Sequence, residues 1–496
     1  MPKIFFFNTD ELVCNNTKIV HNKLKKYKQI SNPKYNYIGY GSVLKYKNDV
    51  CLTFGSWTAK NTWAHNSSVY MIKSKNEYDF NMKSPVKILS NKGQICSHQA
   101  VTYDNHLNTF FLSGGIRVLL YNKMLFLCNN SVVNHSKKCL KNIKTIKFDK
   151  YRLVSTKYDQ HTCTSNGTYL LTSTNLLTWK NMFDRPLQLK LKKDIISSQI
   201  DIGISAVKKA KLQKRLKLLI KKKKNQKDIN LIKTKLNGTD WNTLDLYDTQ
   251  PSLFYDEKKE TYVLYTRDNV GVGVRYTEYH ESKDLITWDG PHLINIQKPE
   301  LFDFKSDNLY YFKVKHYPEH GYYISLGKYY SPKNDVNGIY LFLSYDGVNW
   351  NRMSKVIDDD DTIHCHTIVF QNSPMLSNGK LYFYTSHIPN IINIYSLRVD
   401  GYSYITNSSD TESSFVTKMI SCSELRMNYK SNGYIKVELL DSDMKPILKY
   451  NIDNFDTLTG NETNKILSWD NNSVTPKINF YVKVLFVKSN IYSLIY

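Results

Sequence analysis

The chain has 496 residues, with 68 Lys and Arg against 44 Asp and Glu, and a formal net charge of +24. A hydrophobic fraction of 41% is sufficient for packed cores and excludes disorder over the whole chain. The 38 Tyr residues favour strands over helices. The basic excess is compatible with nucleic acid, an anionic membrane or an acidic polymer as a partner, and does not choose among them.

The N-terminal apolar run, Ile4–Phe7, is too short for the core of a signal peptide, and no later stretch is long enough to span a membrane. The eight Cys residues include no C-x-x-C pair and no zinc-ligand spacing, which favours reduced thiols over a disulfide frame. We therefore expect a cytoplasmic or other intracellular protein. The richness in Lys, Asn, Ile and Tyr indicates an AT-rich genome, and a virion-associated protein of a large DNA virus is one interpretation.

One motif recurs along the first four fifths of the chain. A Ser stands six positions before a Trp, with Asn or Asp between them, at 173–179, 282–288 and 344–350, and the segment 74–80 has Phe in place of Trp. Strand-like alternation precedes each copy. A strand, a tight polar turn and an outer strand with a packed aromatic form a repeating unit that is typical of a β-propeller blade.

Each unit also begins with a segment that we interpret as an inner strand. These segments are Tyr40–Tyr46, His98–Asp104, Thr249–Asp256, Leu301–Phe304 and His364–Phe370. Five such segments and four turn motifs predict five blades over residues 37–405. Six blades are the alternative, if Asp159–His161 begins a blade of its own.

Between the second and third predicted blades lies a strongly basic window. Residues 187–236 contain sixteen Lys or Arg and three Asp, so this window carries +13 of the +24. Leu212, Leu216 and Leu219 have helical spacing, which predicts a basic amphipathic helix within a partly helical or disordered insertion. Lys208–Lys224 could dock an anionic partner. A solvated surface insertion is favoured, because the charge run has no interleaved aromatic residues.

After about Thr411 the pattern changes to alternating polar and apolar segments separated by Gly, Asn and Asp turns. The segments are Glu424–Asn428, Tyr434–Asp441, Lys477–Phe486 and Ile491–Tyr496. They predict a small antiparallel β-sandwich. The predicted fold is therefore all-β, with a five-bladed propeller over 1–410 and a C-terminal sandwich over 411–496, which clamps the propeller or binds a sugar.

Several segments together resemble a group of glycosidase-like proteins. They are Phe6–Leu12, Tyr247–Asp256, Tyr262–Arg267, the Ser-x-Asp-x-x-x-Trp turns, Val437–Asp441, Lys445–Ile447, Leu458–Asn461 and Ser468–Trp469. That group pairs a five-bladed propeller of the invertase/levanase and arabinanase type with a C-terminal β-sandwich. The resemblance implies a carbohydrate partner and glycoside hydrolysis by paired carboxylates. It implies no organic cofactor and no metal among the site residues, although a central structural cation such as calcium would be compatible with the ring.

In such propellers the catalytic acids stand at the starts of the inner strands and face the axis. This implies Asp248, Asp303 and Glu300 as catalytic candidates. The same reasoning gives substrate-binding candidates on the axial positions, which are His98, Gln99, Gln250, Arg267, Asp268, His364 and His366. The alternative is structural, because Asp at a strand end also caps turns, as we expect for Asp104 and Asp256, and buried His residues often pair with the backbone.

One departure from the family pattern leaves the activity open. Related glycosidases place an essential acid at the start of the first blade, whereas the stretch Asn36–Ser42 contains none. Three functions therefore remain: an active glycosidase with a different carboxylate pair, a catalytically inactive glycan-binding propeller, and a scaffold that docks an anionic partner through the basic insertion.

Overall fold

The computed structural model describes a chain that is built almost entirely from strands. The described residues are 3–5, 12–32, 35, 37–57, 67–89, 95–97, 99–120, 153–155, 162–182, 217–218, 220, 250–270, 274–298, 300–304, 306–317, 321–358, 367–387, 390–407 and 410–496. Of the predicted basic insertion, only Lys217, Leu218 and Ile220 are among them, so the predicted helix lies outside the described residues. No helix within the described part of the chain is long and apolar enough to cross a membrane. The expected location and source stay predictions.

Thirty-two strands follow one another along the described chain. The N-terminal strands are β1 (Lys3–Phe5), β2 (Val13–Asn15), β3 (Lys18–His21) and β4 (Lys25–Ser31). Blade one contains β5 (Tyr37–Tyr46), β6 (Asp49–Trp57), β7 (Ser67–Ser74) and β8 (Val86–Leu89). Blade two contains β9 (Ile95–Ser97), β10 (Ala100–Asp104), β11 (Thr109–Leu120), β12 (Leu153–Ser155), β13 (Thr162–Ser173) and β14 (Lys180–Asn181).

The remaining blades are equally regular. Blade three contains β15 (Ser252–Asp256), β16 (Thr261–Val270), β17 (Val274–Ser282) and β18 (Asp289–Leu293). Blade four contains β19 (Asn295–Lys298), β20 (Asn308–Tyr317), β21 (Tyr322–Ser331), β22 (Val336–Ser344) and β23 (Asn349–Ile357). Blade five contains β24 (Thr367–Val369), β25 (Met375–Ser377), β26 (Lys380–His387) and β27 (Ile391–Arg398). The last strands are β28 (Ser403–Asn407), β29 (Ser413–Val416), β30 (Arg426–Leu440), β31 (Leu458–Ile466) and β32 (Tyr481–Ile495).

The predicted all-β fold with a five-bladed propeller is confirmed. Five sheets begin with the inner strands β5, β10, β15, β20 and β24, and each continues outward through antiparallel neighbours, except that β19 is added parallel to β23 at the outside of blade four. Asp159–His161, the predicted start of a sixth blade, lies outside the described residues. The strands on either side of it, β12 and β13, pair with each other in the sheet of blade two.

The predicted inner strand of blade four was wrong. Leu301–Phe304 form no strand, and the inner strand is β20, four residues further along the chain. The reason is that Phe302 packs in the seam between two blades, with its ring centroid 4.4 Å from that of Tyr276 and 5.9 Å from that of Tyr329. A connecting segment with buried aromatic residues therefore imitates the alternation of a strand.

The repeated turns connect the third and outer strands of the first four blades. In blade four, Asp346 Oδ1 accepts hydrogen bonds from the backbone N–H groups of Val348 (2.8 Å) and Asn349 (2.7 Å). The indole N–H of Trp350 donates to the carbonyl of Gly347 (3.0 Å), and Gly347 has a φ of 78°. Asp284, Asn175 and Asn76 accept the matching backbone bonds in the other three blades. The predicted capping role of this motif is confirmed.

Tyrosine hydroxyls join neighbouring blades at all five seams. From the first seam to the last, the hydrogen bonds run from Tyr46 to the carbonyl of Thr174, from Tyr262 to Asp104, from Tyr265 to the carbonyl of Gly347, from Tyr311 to the carbonyl of Thr367 and from Tyr384 to the carbonyl of Glu77. A tyrosine buries a large ring and still has a polar tip that needs a partner. The high tyrosine content is thus partly explained by the seams.

The ring is closed by the N-terminal part of the chain. Strand β4 is the outermost strand of blade five, where it pairs antiparallel with β27. The same strand reaches blade one, because Lys28 forms an ion pair with Asp79 and the Asn32 amide donates to the carbonyl of Met82 (2.6 Å). The first and last blades are therefore joined by a segment that precedes both of them.

The C-terminal strands form an eight-stranded sheet together with β1, β2 and β3. Strand β32 is its centre, since β30 pairs along one edge and β29, β28 and β1 share the other. The core contains Met427, Val437, Trp469, Val484 and Phe486, which are all buried. These eight strands form one hydrogen-bonded sheet, so the predicted sandwich stays a prediction. The predicted boundary at residue 411 also stays a prediction, and β1–β3 and β28 lie before it.

Arg398 at the end of β27 joins blade five to this sheet. Its guanidinium donates to Asn428 Oδ1 (2.7 Å) and to the carbonyls of Tyr429 (3.0 Å) and Glu462 (2.6 Å). It also lies 4.8 Å from the ring centroid of Tyr492. Burial lowers the pKa of this guanidinium below its usual value, although an arginine stays charged at any physiological pH.

Candidate functional site

The middle of the propeller axis is filled by polar side chains that are hydrogen-bonded to one another. The Gln250 amide donates to the carbonyls of Gly41 (2.9 Å) and Gln99. Ser252 Oγ donates to Gln371 Oε1 (2.8 Å), and the Lys313 ammonium donates to the carbonyl of Gln250 (2.7 Å). Every blade contributes at least one group. We call the side chains of Ser42, Gln99, Gln250, Ser252, Lys313 and Gln371 the axial plug; all six residues are buried.

The backbone fixes the axial plug in register with the inner strands. The N–H of Gln371 donates to the carbonyl of Gly41 (2.8 Å), and the N–H of Val43 donates to the carbonyl of Gln371 (3.0 Å). Ser42 and Gln371 form a parallel bridge, so the inner strands of blades one and five run in the same direction. The axial plug therefore separates a strand-start mouth, where the inner strands begin, from a strand-end mouth, where they finish.

Two predicted substrate-binding residues, Gln99 and Gln250, lie in the axial plug. Gln99 Nε2 and Gln250 Oε1 are buried and have no hydrogen-bond partner among the described residues. Both residues precede the inner strand of their blade, so they belong to the strand-start half of the axis. An unpaired buried donor or acceptor costs about 1–3 kcal/mol, and such a group needs an explanation such as a bound hydroxyl or water. Their predicted role is untested.

Arg267 lies at the same level of the axis. Ser252 pairs with Tyr265 in the ladder of β15 and β16, so the register places Arg267 level with Gln250. Its guanidinium donates to the carbonyl of Tyr310 (3.1 Å) and lies 4.8 Å from the ring centroid of Tyr310. The guanidinium of Arg275 lies 4.7 Å from the same ring. Two arginines thus fix a tyrosine near the start of β20.

Glu300 lies away from the axis, contrary to its predicted position. Its carboxylate forms an ion pair with Arg352 (2.7 Å), which stands on the outer strand β23. The Arg352 guanidinium also contacts the rings of Tyr329 (4.7 Å) and Tyr340 (5.1 Å). The reason is that Glu300 follows β19, which pairs parallel with β23 at the outside of blade four. The described contacts of this carboxylate are those of an anchor at the rim.

Asp303 lies in the turn that leads inward to β20. The backbone N–H of Asp303 donates to Asp307 Oδ2 (3.0 Å), and its carbonyl accepts from the N–H groups of Ser306 (3.1 Å) and Asp307 (2.8 Å). Asp307 Oδ2 also accepts from the hydroxyl of Tyr329 (2.9 Å). Asp303 is half-buried, and its turn is firmly held at the strand-start side of blade four.

The other predicted site residues cannot be placed in the same way. Asp248, His98, His364 and His366 lie outside the described residues, and so does the side chain of Asp268. In the sequence, Asp248 is two residues before Gln250, and His98 is one residue before Gln99. Among the described residues at the start of blade one, Tyr37–Ser42, there is no carboxylate. The predicted roles of Asp248, Asp268, His98, His364 and His366 stay predictions.

Sequence reasoning missed Lys313, which is buried in the axial plug. The residue lies in β20 (Asn308–Tyr317), and the predicted inner strand of this blade was Leu301–Phe304 instead. A lysine between a Phe and a Val in a strand of aromatic and apolar residues was the available signal. Gln371 and Ser252 were missed because their residue types are common and their partners are distant in the sequence.

At the strand-end mouth, the two predicted turn caps are confirmed. Asp104 Oδ2 accepts hydrogen bonds from the N–H of Leu107 (3.1 Å) and the hydroxyl of Tyr262 (3.0 Å). Asp256 accepts from the N–H groups of Lys258 (3.1 Å) and Lys259 (3.2 Å). Burial, reinforced by Asp104, raises the pKa of Tyr262 well above its usual value, so this phenol stays protonated and donates. Each carboxylate thus caps a turn and accepts from a tyrosine, whereas Asp104 Oδ1 has no hydrogen-bond partner among the described residues.

Within the described residues, no group of three or more His, Cys, Asp and Glu side chains lies close enough together to hold a metal ion. The central structural cation that the resemblance allows stays a prediction. The described part of the axis contains the Lys313 ammonium, which would repel a cation in its immediate surroundings.

No family model matches the chain, and no curated protein matches it. Solved structures do, and many of them are glycoside hydrolases. A glycoside hydrolase has 12% sequence identity and a TM-score of 0.44, with 76% of this chain and 92% of that chain covered. The Bombyx mori GH32 beta-fructofuranosidase has 10% identity and a TM-score of 0.40, covering 95% and 93%. A family 43 arabinoxylan arabinofuranohydrolase from Bacillus subtilis, in complex with cellotetraose, has 12% identity and a TM-score of 0.36, covering 95% and 98%.

These likenesses are too distant to provide a residue-by-residue correspondence with the axial plug. The chain itself is a five-bladed propeller with an additional sheet built from both ends of the chain.

Proposed function

We propose that this protein acts on a polysaccharide or other glycan at the strand-start mouth of its propeller, as a glycoside hydrolase. The observation that carries the proposal is the unpaired donor on Gln99 and the unpaired acceptor on Gln250, which stand on neighbouring inner strands. A sugar hydroxyl both donates and accepts a hydrogen bond. One hydroxyl, or a water that bridges to it, would satisfy both amides in a dry site where such bonds are strong.

In this proposal the catalytic carboxylates are Asp248 and Asp303. The Lys313 ammonium is bonded to the carbonyl of Gln250, two residues from Asp248 in the sequence. A nearby cation favours the ionised form of a carboxylate, so Asp248 suits the nucleophile or base. Asp303, before the inner strand of the neighbouring blade four, is left as the acid that protonates the leaving oxygen. Arg267 would position a substrate hydroxyl or ring oxygen beside Tyr310.

Glu300 has a supporting role in this proposal. Its ion pair with Arg352 holds the segment that leads from the rim of blade four to Asp303. Replacing Glu300 should therefore affect the position of Asp303 and the stability of blade four, and it should leave a measurable residual activity.

The test is to incubate the protein with a panel of neutral and acidic polysaccharides and to measure the reducing sugar that hydrolysis releases. Asp248→Asn and Asp303→Asn keep the side-chain size and remove the carboxylate, and each should lower kcat by at least about 100-fold, which is typical of a lost general acid or base. Asp443→Asn, in an exposed turn of the C-terminal sheet, is the matched control and should be fully active. Unchanged hydrolysis by both variants would refute the assignment of these carboxylates.

A second candidate is a glycan-binding propeller without catalytic activity. The observation that favours it is the start of blade one, where Tyr37–Ser42 offer a Tyr and a Ser but no acid. It predicts that a polysaccharide binds without release of reducing sugar, and that Asp248→Asn binds as tightly as the wild type. Hydrolysis that depends on Asp248 would exclude it.

A further inference from the structure

The strand-end mouth contains a cavity that the proposed reaction does not use. Its volume is about 460 Å³, within the range of small-molecule sites. All five blades line it with the ends of their inner strands or the turns that follow, and we call it the strand-end funnel. Representative residues, one from each blade, are Lys45, His106, Tyr255, His316 and Asn372.

The strand-end funnel is separated from the strand-start mouth by the axial plug. Gln371 lines the bottom of the funnel, and its amide also donates to the carbonyl of Val314 (3.3 Å) inside the ring. Ser252 Oγ is bonded to Gln371 on one side and accepts from the N–H of Val314 on the other (3.2 Å). Because these groups are tied across the axis, a ligand in the funnel would not reach the proposed carboxylates.

The lining of the funnel combines an apolar floor with a polar rim. Val43, Val314 and Met375 supply buried apolar surface at the floor. The rim carries donors and acceptors of both kinds, such as the amides of Asn105 and Asn372 and the carboxylate of Glu257. An apolar surface surrounded by a few oriented polar groups is the usual composition of a site for a small organic ligand.

The charges of the funnel exclude a strongly ionic ligand. Two lysines, Lys45 and Lys315, stand against two carboxylates, Asp104 and Glu257, so the lining has no excess of either sign. Lys45 lies 3.5 Å from the carboxylate of Glu77, and the Lys315 ammonium donates to the carbonyl of Pro374 (2.6 Å). The balanced mixture of donors and acceptors suits a neutral polyhydroxyl molecule better than an anion or a cation.

One wall of the funnel is a preformed aromatic platform. The imidazole of His106 stacks on the ring of Tyr255, with centroids 4.0 Å apart and planes 9° apart. Tyr255 is held from the other side by the edge of Tyr262, at 5.1 Å. The Asp104 cap fixes the turn that carries His106. A wall that is ordered before binding lowers the entropic cost of holding a ligand.

We propose that the strand-end funnel is a second carbohydrate-binding site, which holds a neutral sugar on the opposite side of the ring from the proposed hydrolytic site. A pyranose or furanose ring has an apolar C–H face for the Val and Met floor and for the aromatic wall. Its hydroxyls can satisfy the polar rim. The choice of a carbohydrate as the ligand rests on the proposed function, whereas the cavity and its charge balance do not.

The test uses the full chain with methionine methyl groups labelled with carbon-13, titrated with neutral arabino-, xylo-, fructo- and manno-tetrasaccharides. Met375 lies in the funnel, and Met427 lies in the core of the C-terminal sheet as an internal control. At least one sugar should shift the Met375 signal and leave Met427 unchanged. Tyr255→Ala, and independently His106→Ala at the exposed edge, should weaken this binding about tenfold or more, as the loss of an aromatic contact does.

Tyr345→Ala is the matched control, because Tyr345 is 55% exposed on a turn of blade four that does not line the funnel. It should bind as the wild type does. The proposal is overturned if no sugar moves Met375 at millimolar concentration, or if both funnel variants bind as Tyr345→Ala binds. It is also overturned if Tyr255→Ala abolishes hydrolysis, since the two mouths would then be one site. Sugar binding at Met375 without any release of reducing sugar would leave this proposal standing and refute the hydrolase.

Discussion

Gln250 forms hydrogen bonds to three other blades through its side chain and its backbone. Its side-chain amide nitrogen donates to the backbone carbonyls of Gly41 and Gln99, and its backbone carbonyl accepts from the Lys313 ammonium. The remaining atom, Oε1, is unpaired among the described residues. A single residue therefore joins four blades and still presents an acceptor, which is the combination that a binding residue on a rigid scaffold requires.

Replacing Gln250 with Leu should lower the free energy of unfolding by about 1–3 kcal/mol, because the buried carbonyl of Gln99 loses this donor, whereas the carbonyl of Gly41 keeps the bond from the N–H of Gln371. Urea unfolding followed by far-UV circular dichroism would measure it. Gln297→Leu is the control, since Gln297 is exposed and its hydrogen bond among the described residues goes to the half-buried Asn349. A Gln250→Leu protein within about 0.5 kcal/mol of that control would show that the axial plug does not hold the ring together.

Among the elements, the repeated turn bonds most of its own backbone. Its Ser, its Asn or Asp and its aromatic side chain pair with the backbone between the third and outer strands, and in blade four Tyr265 of the neighbouring blade adds a bond to the carbonyl of Gly347. Burial alone would raise the pKa of Asp346, but hydrogen bonds from Asn349, Val348 and Ser344 outweigh it and lower the pKa. Asp284 in blade three is lowered as well, by hydrogen bonds from Thr287 and Ile286.

These two lowered pKa values predict a loss of stability in acid. A carboxylate with a lowered folded-state pKa stabilises the fold above the unfolded value of about 3.8, and this contribution disappears as the pH falls through the folded value. The double variant Asp284→Asn, Asp346→Asn should therefore have a smaller decrease in Tm between pH 5 and pH 2.5 than the wild type. Asn76 and Asn175 make the same bonds in blades one and two, so the turns should persist. Equal acid dependence in both proteins would contradict the prediction.

The elements themselves were largely predictable from the sequence. The Ser-x-Asp-x-x-x-Trp turns were predictable because their chemistry is local. Four of the five predicted inner-strand segments overlap the observed inner strands. Blade four was misread at Leu301–Phe304, because burial in a seam produces the same alternation as a strand. Strand β4 could not be assigned to blade five, since its partner β27 follows about 360 residues later and no local pattern records that pairing.

The site was less predictable than the fold. Gln99 and Gln250 were found because inner-strand starts are a small set, and both do lie on the axis. Glu300 was misplaced because the additional strand β19 carries the chain to the outside of blade four before it turns inward. Lys313 was missed for the complementary reason, since the true inner strand β20 was not recognised. Each error concerns a contact between residues that the sequence does not bring together.

For the whole molecule, closure of the ring is the feature that most affects stability. Ile30 on β4 is buried in one core with Ile392 and Tyr384 of blade five and with Phe80 of blade one. This core therefore belongs to blade one, blade five and the N-terminal segment at once. A smaller side chain in it should weaken the seam between blades one and five, which no short loop connects.

Ile30→Ala should lower the free energy of unfolding by about 2–4 kcal/mol, the usual result when a buried aliphatic side chain is truncated. The exposed neighbour Gln29→Ala is the control and should change the stability by less than about 0.5 kcal/mol. Thermal unfolding by differential scanning calorimetry would measure both. A propeller that tolerates Ile30→Ala as well as Gln29→Ala would show that blades one and five do not depend on β4.

The net positive charge is concentrated in one part of the chain. Residues 187–236 account for +13 of +24, so the chain without them carries +11. Deleting this window should lower the salt concentration at which the protein elutes from heparin, because fewer counterions are released on binding. We expect no change in Tm, since the insertion connects two blades at a position where loops tolerate length changes. A lower Tm or unchanged elution would contradict the interpretation as a solvated insertion.

Both ends of the chain contribute strands to the C-terminal sheet, and the N-terminal strand β4 belongs to blade five. This arrangement affects folding during synthesis. Strands β1–β4 pair only with β27, β28, β29 and β32, which all follow residue 390. At a synthesis rate of about 5–20 residues per second, the N-terminal strands emerge from the ribosome roughly 20 to 80 s before their partners exist. During that interval they are unpaired edges. We therefore expect these strands to be open to pairing with other chains until translation is almost finished.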